Sequence, residues 1–419
     1  MDCLVIRGGR VLEGTVDIAG AKNAALPLIA ASLLSDQPLV LSNLPRVTDV
    51  ATLVALVESH GVVVARNHAH QITLDPAAAC NREAHYDVVR RARATILVLG
   101  PLLARFGAAR VSLPGGCAIG ARPVDLHLKA LSMLGAEVDV DGGYIVARAP
   151  TGLTGARIVL SVPSVGATET AMMAATRARG ETEILNAARD PEIANLAACL
   201  IAMGARIEGA GTHRILVSGD TSFRPARHEL IADRIEAGTY AGAAAITGGR
   251  LELIGARLEH LAAECQILER MGVRVLPTDR GLLVERTGDL LATDITTEPF
   301  PGFPTDLQAQ FTAVMTIARG AALIRETVFE SRFMHVPELA RLGANLTQQG
   351  TTVFVRGVDR LRGAPVMATD LRASVCLLLA GLVADGETVL NRVYHLDRGY
   401  EDLARKLVRC GADIERVQR

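Results

Sequence analysis

The chain has 419 residues, 49% of them hydrophobic, with 44 basic against 45 acidic side chains. This length exceeds one ordinary core and predicts two domains of roughly 200 residues each. The balanced charge, with no segment of one sign, excludes the basic clusters typical of nucleic-acid and membrane-surface proteins. The longest apolar runs are also far shorter than the roughly 20 residues of a membrane span. We therefore expect a globular protein that binds neither nucleic acid nor membrane.

The seven cysteines are scattered along the chain, odd in number and without CxxC spacing. This usage predicts reduced thiols in a cytoplasmic protein rather than a disulfide framework or a metal site. The N-terminal sequence MDCLVIRGG lacks the basic and apolar regions of a signal peptide, which favours the same location. We expect neither a metal nor a cofactor.

After a first predicted strand, CLVIRGG, the chain repeats one unit six times. In each unit a helix ends in an apolar residue, and a glycine and a strand follow. The glycines are Gly61, Gly135, Gly204, Gly272, Gly343 and Gly411. Intervals of 68 to 74 residues between them indicate a repeated supersecondary unit. Glycine at this point predicts a left-handed residue that ends the helix and leads into the strand.

Each unit also has an earlier, alanine-rich helix that is apolar nearly all round, as in RATILVLGPLLARF and SVCLLLAGLVA. Such helices are buried, whereas the amphipathic second helix, as in LEHLAAECQILER, faces solvent. The contrast predicts an α/β fold with helices inside and sheets around them. We expect six repeats of about 70 residues, three in each domain.

Five repeats continue with a second strand after the glycine, whereas the sixth ends at IERVQR without it. The N-terminal CLVIRGG matches the missing strand, so we infer that it completes the last repeat. The first domain is then residues 21–230, and the second is discontinuous, residues 1–20 plus 231–419. Two chain crossings between domains favour a cleft between them.

The starts of the buried helices carry polar and charged residues. They include Lys22, Asn23, Arg93, Ser164, Val165, Gly166, Asp306, Asp370 and Arg372. Ser and Asp at a helix start can simply cap it. Together with the lysine and arginines, six helix starts also form a positive field suited to an anionic ligand. A carboxylate among such cations can act as a base.

Seven motifs in order carry a family resemblance: GAKNAALP, LPGGCAIGARPVDLH, SVGATE, FPGFPTDLQAQ, RFMHVPEL, DLRAS and DRGYEDL. They closely resemble the enolpyruvyl transferases that act on UDP-N-acetylglucosamine, from Lys22 to Arg398. The resemblance implies a two-domain inside-out α/β barrel. It also implies transfer of enolpyruvate from phosphoenolpyruvate to the 3'-hydroxyl of UDP-N-acetylglucosamine, with release of phosphate. That reaction is the first committed step toward peptidoglycan.

The resemblance further implies a role for each matched residue. Cys117 is the general acid and can form an adduct with phosphoenolpyruvate, Asp306 takes the hydroxyl proton, and Asp370 assists. The residues implied to bind phosphoenolpyruvate are Lys22, Asn23, Arg122, Arg372 and Arg398, of which Lys22 and Arg398 also count as catalytic. Those implied for UDP-N-acetylglucosamine are Arg93, Arg122, Pro123, Val124, Asp125, Leu126, Ser164, Val165, Gly166, Asp306 and Val328.

One position departs from the family pattern. Some members have a lysine two residues before the SVGAT serine, where this chain has Val162. Backbone N–H groups at Ser164 to Gly166 would then have to bind the diphosphate. Alternatives are a sister enzyme acting on shikimate 3-phosphate, a paralogue that accepts another uridine nucleotide, and a non-enzymatic repeat scaffold. We expect the protein to act as a monomer.

Overall fold

A computed structural model describes residues 2–90, 92–114 and 124–418. Cys117, Arg122 and Pro123 lie outside the described residues. Within them the strands form six four-stranded sheets and one two-stranded sheet. In a four-stranded sheet such as that of residues 157–218, one edge strand runs parallel to its neighbour and the other pairs are antiparallel. The repeated unit predicted from the glycine spacing is therefore confirmed.

The chain divides into two compact units, which we call the first unit and the second unit. The first unit comprises residues 20–90, 92–114 and 124–231, and the second comprises residues 2–19 and 232–418. Three of the four-stranded sheets lie in each unit.

In the first unit the buried helices are Lys22–Ala31, Leu99–Phe106 and Val165–Ala175. The other helices are Thr48–Ser59, Tyr86–Val89, Asp125–Met133 and Pro191–Ala202, with 3-10 turns at Ser32–Leu34 and Arg93–Val98. The strands are Leu39–Ser42, Val63–His68, Gln71–Asp75, Glu83–Ala84, Ala108–Ser112, Glu137–Asp141, Tyr144–Arg148, Arg157–Val159, Glu181–Leu185, Arg206–Glu208, Arg214–Ser218 and Ala226–Glu229.

In the second unit the buried helices are Arg234–Thr247, Gln308–Met315 and Leu371–Gly381. The other helices are Ala262–Arg270, Val336–Arg341 and Leu403–Arg409, with 3-10 turns at Leu258–His260, Thr305–Leu307 and Val393–Arg398. The strands are Asp2–Arg7, Glu13–Asp17, Arg250–Ile254, Val273–Pro277, Gly281–Arg286, Ile295–Thr296, Ala321–Arg325, Asn345–Gln349, Thr352–Arg356, Leu361–Arg362, Pro365–Met367, Ala384–Asp385, Glu387–Asn391 and Asp413–Gln418.

Small residues let the inner helices pack closely inside the sheets. Every residue of Arg234–Thr247 is buried, whereas Leu403–Arg409 buries only Leu403 and Leu407. A Cβ on Gly238 would lie 2.3 Å from Leu307 Cδ1, so a larger residue there would displace the Leu307 side chain. The prediction of helices inside and sheets around them is confirmed. In the described part of the chain, no helix combines the length and apolar character that crossing a membrane requires.

The repeat glycines end their helices in the left-handed conformation, as predicted. All six have φ between 85° and 114°, a backbone conformation that residues other than glycine rarely adopt. At Gly204 the space is also closed, because a Cβ there would lie 2.5 Å from Ser222 O. The turn therefore requires glycine for both its dihedral angles and its packing.

The strand Asp2–Arg7 lies in the middle of the last sheet of the second unit. It pairs antiparallel with Glu387–Asn391 on one side and with Asp413–Gln418 on the other. Leu4 faces Leu390 and Arg416 in these two ladders. The first residues of the chain thus take the place of the strand that the sixth repeat lacks.

Truncating the core of this strand should destabilise the second unit. Ile6 has no exposed surface, so Ile6→Ala leaves a cavity and should lower the free energy of unfolding by about 2–5 kcal/mol. The control is Val11→Ala, because Val11 is 65% exposed and should change stability by less than about 0.5 kcal/mol. Urea unfolding measures both. Equal midpoints for Ile6→Ala and the unmodified chain would contradict the central position of this strand.

Candidate functional site

Lys22 is the first residue of a buried helix of the first unit, Lys22–Ala31. Its Nζ lies 3.5 Å from Asp49 Oδ2, and the two side chains are only 12% and 9% exposed. The predicted neighbour Asn23 follows on the same helix and is partly buried. Asp49 was missed at the sequence level, because an acid in the first turn of an outer helix resembles an ordinary dipole-stabilising residue.

Two segments predicted for the sugar nucleotide come together through His127. Its Nδ1 lies 2.8 Å from Thr170 Oγ1, which joins helix Asp125–Met133 to helix Val165–Ala175. The ring also packs on Gly166, where a Cβ would lie 2.8 Å from His127 Cε1. This contact brings the helix starts next to each other, with the predicted binding residues Val124, Asp125, Leu126, Ser164, Val165 and Gly166.

Ser164 also has a structural role, because its Oγ accepts a hydrogen bond from Ala167 N at 3.4 Å and caps the helix. Exposed Val162 precedes it at the position where some family members have lysine. The helix start therefore offers backbone N–H groups rather than a side-chain cation at this point.

The expectation that an α-helix begins at Arg93 is wrong. Arg93 begins a 3-10 turn, Arg93–Val98, and the α-helix begins at Leu99. Pro101 explains the difference, because it has no N–H to donate to the carbonyl of Leu97. Arg93 is partly buried at the start of this turn.

Glu169 was not identified from the sequence, although it belongs to the SVGATE motif. It is 3% exposed on helix Val165–Ala175. Burial raises its pKa well above the usual range, and the nearby Glu192 and Asp190 raise it further. The protein environment therefore favours the protonated form of Glu169 more than water does.

In the second unit Asp306 pairs with two arginines. Its Oδ1 accepts from Arg332 Nη2 at 2.6 Å and from Arg372 Nε at 3.3 Å. Arg332 is 7% exposed and Arg372 5% exposed, whereas the Asp306 side chain is 26% exposed. Asp306 lies in the 3-10 turn Thr305–Leu307, so the expectation that it opens an α-helix is corrected. Two buried cations thus hold a partly accessible carboxylate.

Arg332 belongs to the RFMHVPEL motif, and no role was predicted for it. Its Nη1 donates to Thr305 Oγ1 at 2.9 Å, and that hydroxyl donates to Glu326 Oε2 at 2.8 Å. Glu326 Oε1 in turn accepts from the backbone N of Val328 at 2.8 Å. Because that N–H is already used, Val328 has only its carbonyl and side chain to offer a ligand.

Arg372 and Asp370 lie at the start of the helix Leu371–Gly381. Asp370 Oδ1 caps this helix by accepting from Arg372 N at 2.8 Å and from Ala373 N at 3.1 Å. Burial lowers the pKa of the Arg372 guanidinium, but the charge and hydrogen bond of Asp306, together with Tyr400 and Asp233, outweigh this effect and the pKa is raised. Arg372 therefore keeps its charge inside the protein.

Arg398, predicted to bind phosphoenolpyruvate, is partly buried at the end of the 3-10 turn Val393–Arg398. In the same turn, burial and the charge of Arg398 lower the pKa of His395. A neutral His395 adds no charge to the one that Arg398 supplies.

The described cysteines differ in exposure. Burial raises the pKa of Cys199 and of Cys265 to about 12, and it raises that of Cys376 well above its usual value. These thiols are packing residues of low nucleophilicity. Cys80 is exposed, and Cys117 lies outside the described residues.

The described side chains supply a lysine at a helix start, two buried guanidiniums on one carboxylate and a set of helix N-termini. The lysine and helix N-termini of the first unit can bind anionic groups, and the carboxylate of the second unit can accept a proton. Within the described ranges, no three His, Cys, Asp or Glu residues are arranged to hold a metal ion.

Known proteins are similar to this chain over its whole length. The profile of the EPSP synthase family (3-phosphoshikimate 1-carboxyvinyltransferase) matches residues 6–407. UDP-N-acetylglucosamine 1-carboxyvinyltransferase 2 of Mesorhizobium japonicum is 69% identical, with 100% of both chains covered. UDP-N-acetylglucosamine 1-carboxyvinyltransferase of Rhodospirillum centenum is 59% identical, over 100% of this chain and 99% of the relative.

Solved structures share the fold. The enolpyruvyl transferase NikO from Streptomyces tendae is 29% identical with a TM-score of 0.89, over 100% of this chain and 99% of that chain. EPSP synthase from Acinetobacter baumannii has a TM-score of 0.78 over 100% of both chains, at 17% identity. The second likeness concerns the fold alone.

His335 makes the stability of the second unit depend on pH. It is 2% exposed, next to the helix Val336–Arg341, and its Nε2 has no hydrogen-bond partner among the described residues. Its pKa is lowered to about 4, mainly by burial. The charge of Asp370 opposes this decrease, and the charge of Arg332 adds to it. The folded protein therefore holds a neutral imidazole at pH values where the unfolded chain binds a proton.

We expect His335 to lower stability as the pH falls from about 6.5 to about 4, by about 3 kcal/mol in total. Above about 6.5 both states are neutral and the contribution is constant. His335→Gln should flatten this part of the profile, whereas His68→Gln, at an exposed histidine, should not. Urea unfolding at pH 7, 5.5 and 4.5 measures the slope. An unchanged slope in His335→Gln would contradict the assignment.

Proposed function

Because the chain belongs to the EPSP synthase family of carboxyvinyltransferases, we propose that it transfers enolpyruvate from phosphoenolpyruvate to the 3'-hydroxyl of UDP-N-acetylglucosamine. Phosphate is the second product. The structural observation that carries the chemistry is the partly exposed Asp306 carboxylate held by buried Arg332 and Arg372. Such a group can accept a hydroxyl proton beside an anionic substrate.

The choice of acceptor rests on the relatives. Two of them, 69% and 59% identical over the whole chain, are named for UDP-N-acetylglucosamine. The likeness to EPSP synthase structures is only 17% and 16% identical, so it supports no claim on shikimate 3-phosphate. The proposed reaction belongs to the synthesis of peptidoglycan.

The reaction needs an acid, a base and cations. A proton adds to C3 of phosphoenolpyruvate while the 3'-oxygen of the sugar forms a bond to C2. Asp306 accepts the hydroxyl proton, and Cys117 donates the proton to C3. The tetrahedral intermediate then loses a proton from C3 and the C2–O bond to phosphate breaks, which restores the enol double bond. Both carboxylate and phosphate charges require cationic partners throughout.

We assign those partners to the residues that match the family motifs. Lys22, Asn23, Arg122, Arg372 and Arg398 bind phosphoenolpyruvate. The retained charge of Arg372 and the position of Lys22 at a helix start support this assignment. Asp370 caps the helix that carries Arg372, so its assistance acts at least through the position of that backbone.

The UDP-sugar is assigned to the two helix starts joined by His127, to Arg93 and to Val328. Asp125 is exposed, while Val124 and Leu126 beside it are partly buried. Arg122 and Pro123, from the same motif, complete the assignment. Without a lysine at Val162, we propose that the backbone N–H groups at the start of Val165–Ala175 bind the diphosphate.

We further propose that the enzyme acts as a monomer in the cytoplasm. The six described cysteines are all free thiols, which agrees with a reducing compartment.

Mixing the protein with phosphoenolpyruvate and UDP-N-acetylglucosamine should release phosphate. Asp306→Ala should lower turnover by about 10²–10⁴-fold, because a positioned general base contributes this much. Asp279→Ala, at an exposed aspartate, is the control and should keep full activity. Wild-type turnover in Asp306→Ala would place the base elsewhere.

Parallel assays with shikimate 3-phosphate and UMP as acceptors test the alternatives. We expect phosphate release only with UDP-N-acetylglucosamine. Release with UMP alone would indicate a paralogue with another uridine nucleotide. No release with any acceptor would overturn the proposed function.

The proposed role of Cys117 predicts selective alkylation by fosfomycin, an epoxide phosphonate similar to phosphoenolpyruvate. The cations assigned to phosphoenolpyruvate should favour the thiolate and bind the phosphonate, so Cys117 should react and the enzyme should lose activity. The exposed Cys80 is an internal control that should remain unmodified. Cys117→Asp should resist the epoxide and keep some activity. Peptide mass mapping locates the label, and modification of Cys80 with Cys117 intact would refute the assignment.

A further inference from the structure

The hydroxyl of Tyr400 is buried next to Arg372, one of the two arginines that pair with Asp306, and none of the proposed roles uses it. Tyr400 belongs to the DRGYEDL motif and is only 4% exposed. Its OH lies 3.0 Å from Arg372 Nη1, 2.9 Å from Thr239 Oγ1 and 3.3 Å from Gln310 Nε2. Thr239 and Gln310 are as deeply buried as Tyr400 itself.

The number of protons decides the direction of each hydrogen bond. A guanidinium and an amide NH2 can only donate, so Tyr400 OH accepts from both Arg372 and Gln310. The phenol proton must then be donated to Thr239 Oγ1. Thr239 can accept it, because its own proton goes to Ile235 O at 2.8 Å. The phenol thus makes one donated and two accepted bonds, and its orientation is fixed.

The same hydroxyl is tied to Asp306 along two routes. Arg372, which donates to Tyr400 through Nη1, donates through Nε to Asp306 Oδ1 at 3.3 Å. Gln310 Nε2 also reaches Asp306 O at 2.9 Å. Side chain and backbone of the candidate base are therefore both connected to Tyr400. Burial raises the pKa of Tyr400 despite the opposing charge of Arg372, which keeps the phenol proton available for Thr239.

We propose that Tyr400 is a positioning residue that holds the Arg372 guanidinium, and through it the Asp306 carboxylate, in the geometry required for proton transfer. This inference rests on the proposed function. Without the phenol oxygen, Arg372 Nη1 and Gln310 Nε2 would each lose a buried acceptor. A buried donor without a partner is costly, so the Arg372 guanidinium would move to find another acceptor. Gln310 Nε2 would keep Asp306 O at 2.9 Å and Thr239 Oγ1 at 3.4 Å as acceptors.

The test compares two buried tyrosines that each lose one hydroxyl. Tyr400→Phe removes the hub of the network. Tyr240→Phe, on the helix Arg234–Thr247, removes a buried OH that has no hydrogen-bond partner among the described residues. We expect kcat to fall about 10–100-fold in Tyr400→Phe, because small displacements of catalytic groups have effects of this size. The KM for UDP-N-acetylglucosamine should change little, and Tyr240→Phe should keep wild-type values.

A second pair of variants keeps Tyr400 in place. Thr239→Val removes the acceptor of the phenol proton, whereas Thr239→Ser retains it. We expect Thr239→Val to lower kcat and Thr239→Ser to restore most of it. The double variant Tyr400→Phe with Thr239→Val should be no slower than Tyr400→Phe alone, because both act on one chain of hydrogen bonds. If Tyr400→Phe does not fold, the Thr239 pair decides the matter by the same criterion.

A crystal structure of Tyr400→Phe gives a readout that needs no substrate. The proposal expects Arg372 Nε to leave its position 3.3 Å from Asp306 Oδ1 in the unmodified protein. An unmoved Arg372, or a Tyr400→Phe enzyme with wild-type kcat, overturns the positioning role while the proposed function stands. If the unmodified protein and Tyr240→Phe release no phosphate, the proposed function fails instead, and the position of Arg372 still decides the structural part.

Discussion

The second unit depends on one electrostatic arrangement, the Asp306 carboxylate shared by the guanidiniums of Arg332 and Arg372. Two arginines that are 7% and 5% exposed require a counter-charge, since an unpaired buried charge is strongly destabilising. Asp306 supplies that charge and is itself more exposed than either arginine. The same contact therefore stabilises two buried guanidiniums and leaves the Asp306 carboxylate partly accessible.

The repeated fold makes such a cluster possible. The helices at the centre of each unit are apolar along their length, so polar groups concentrate at their first turns, where N–H groups are unpaired. Asp370 satisfies these groups for Leu371–Gly381, and Ser164 does so for Val165–Ala175. The remaining polar side chains at these ends are held by one another, as Glu326 holds Thr305.

Neutral acids and bases are a second common feature of the two units. Burial raises the pKa of Glu169 in the first unit and lowers that of His335 in the second, so it favours the uncharged form of each. Each would carry a charge at some physiological pH if it were exposed. Burial thus reduces the number of charges that the interior of each unit has to pair.

The sequence by itself determined the period of the repeats, the buried character of the inner helices and the motif residues Lys22, Asp306 and Arg372. These features are local, because glycine dihedrals, apolar periodicity and motif spacing are written in consecutive residues. The tertiary structure alone decided that Asp49 lies beside Lys22, that Arg332 shares Asp306, and that Tyr400 links Arg372 to Thr239. It also showed that Arg93 and Asp306, both expected at the start of an α-helix, lie in 3-10 turns. Such contacts join residues far apart in the chain, and only the packing of the repeats sets which polar groups become mutual partners.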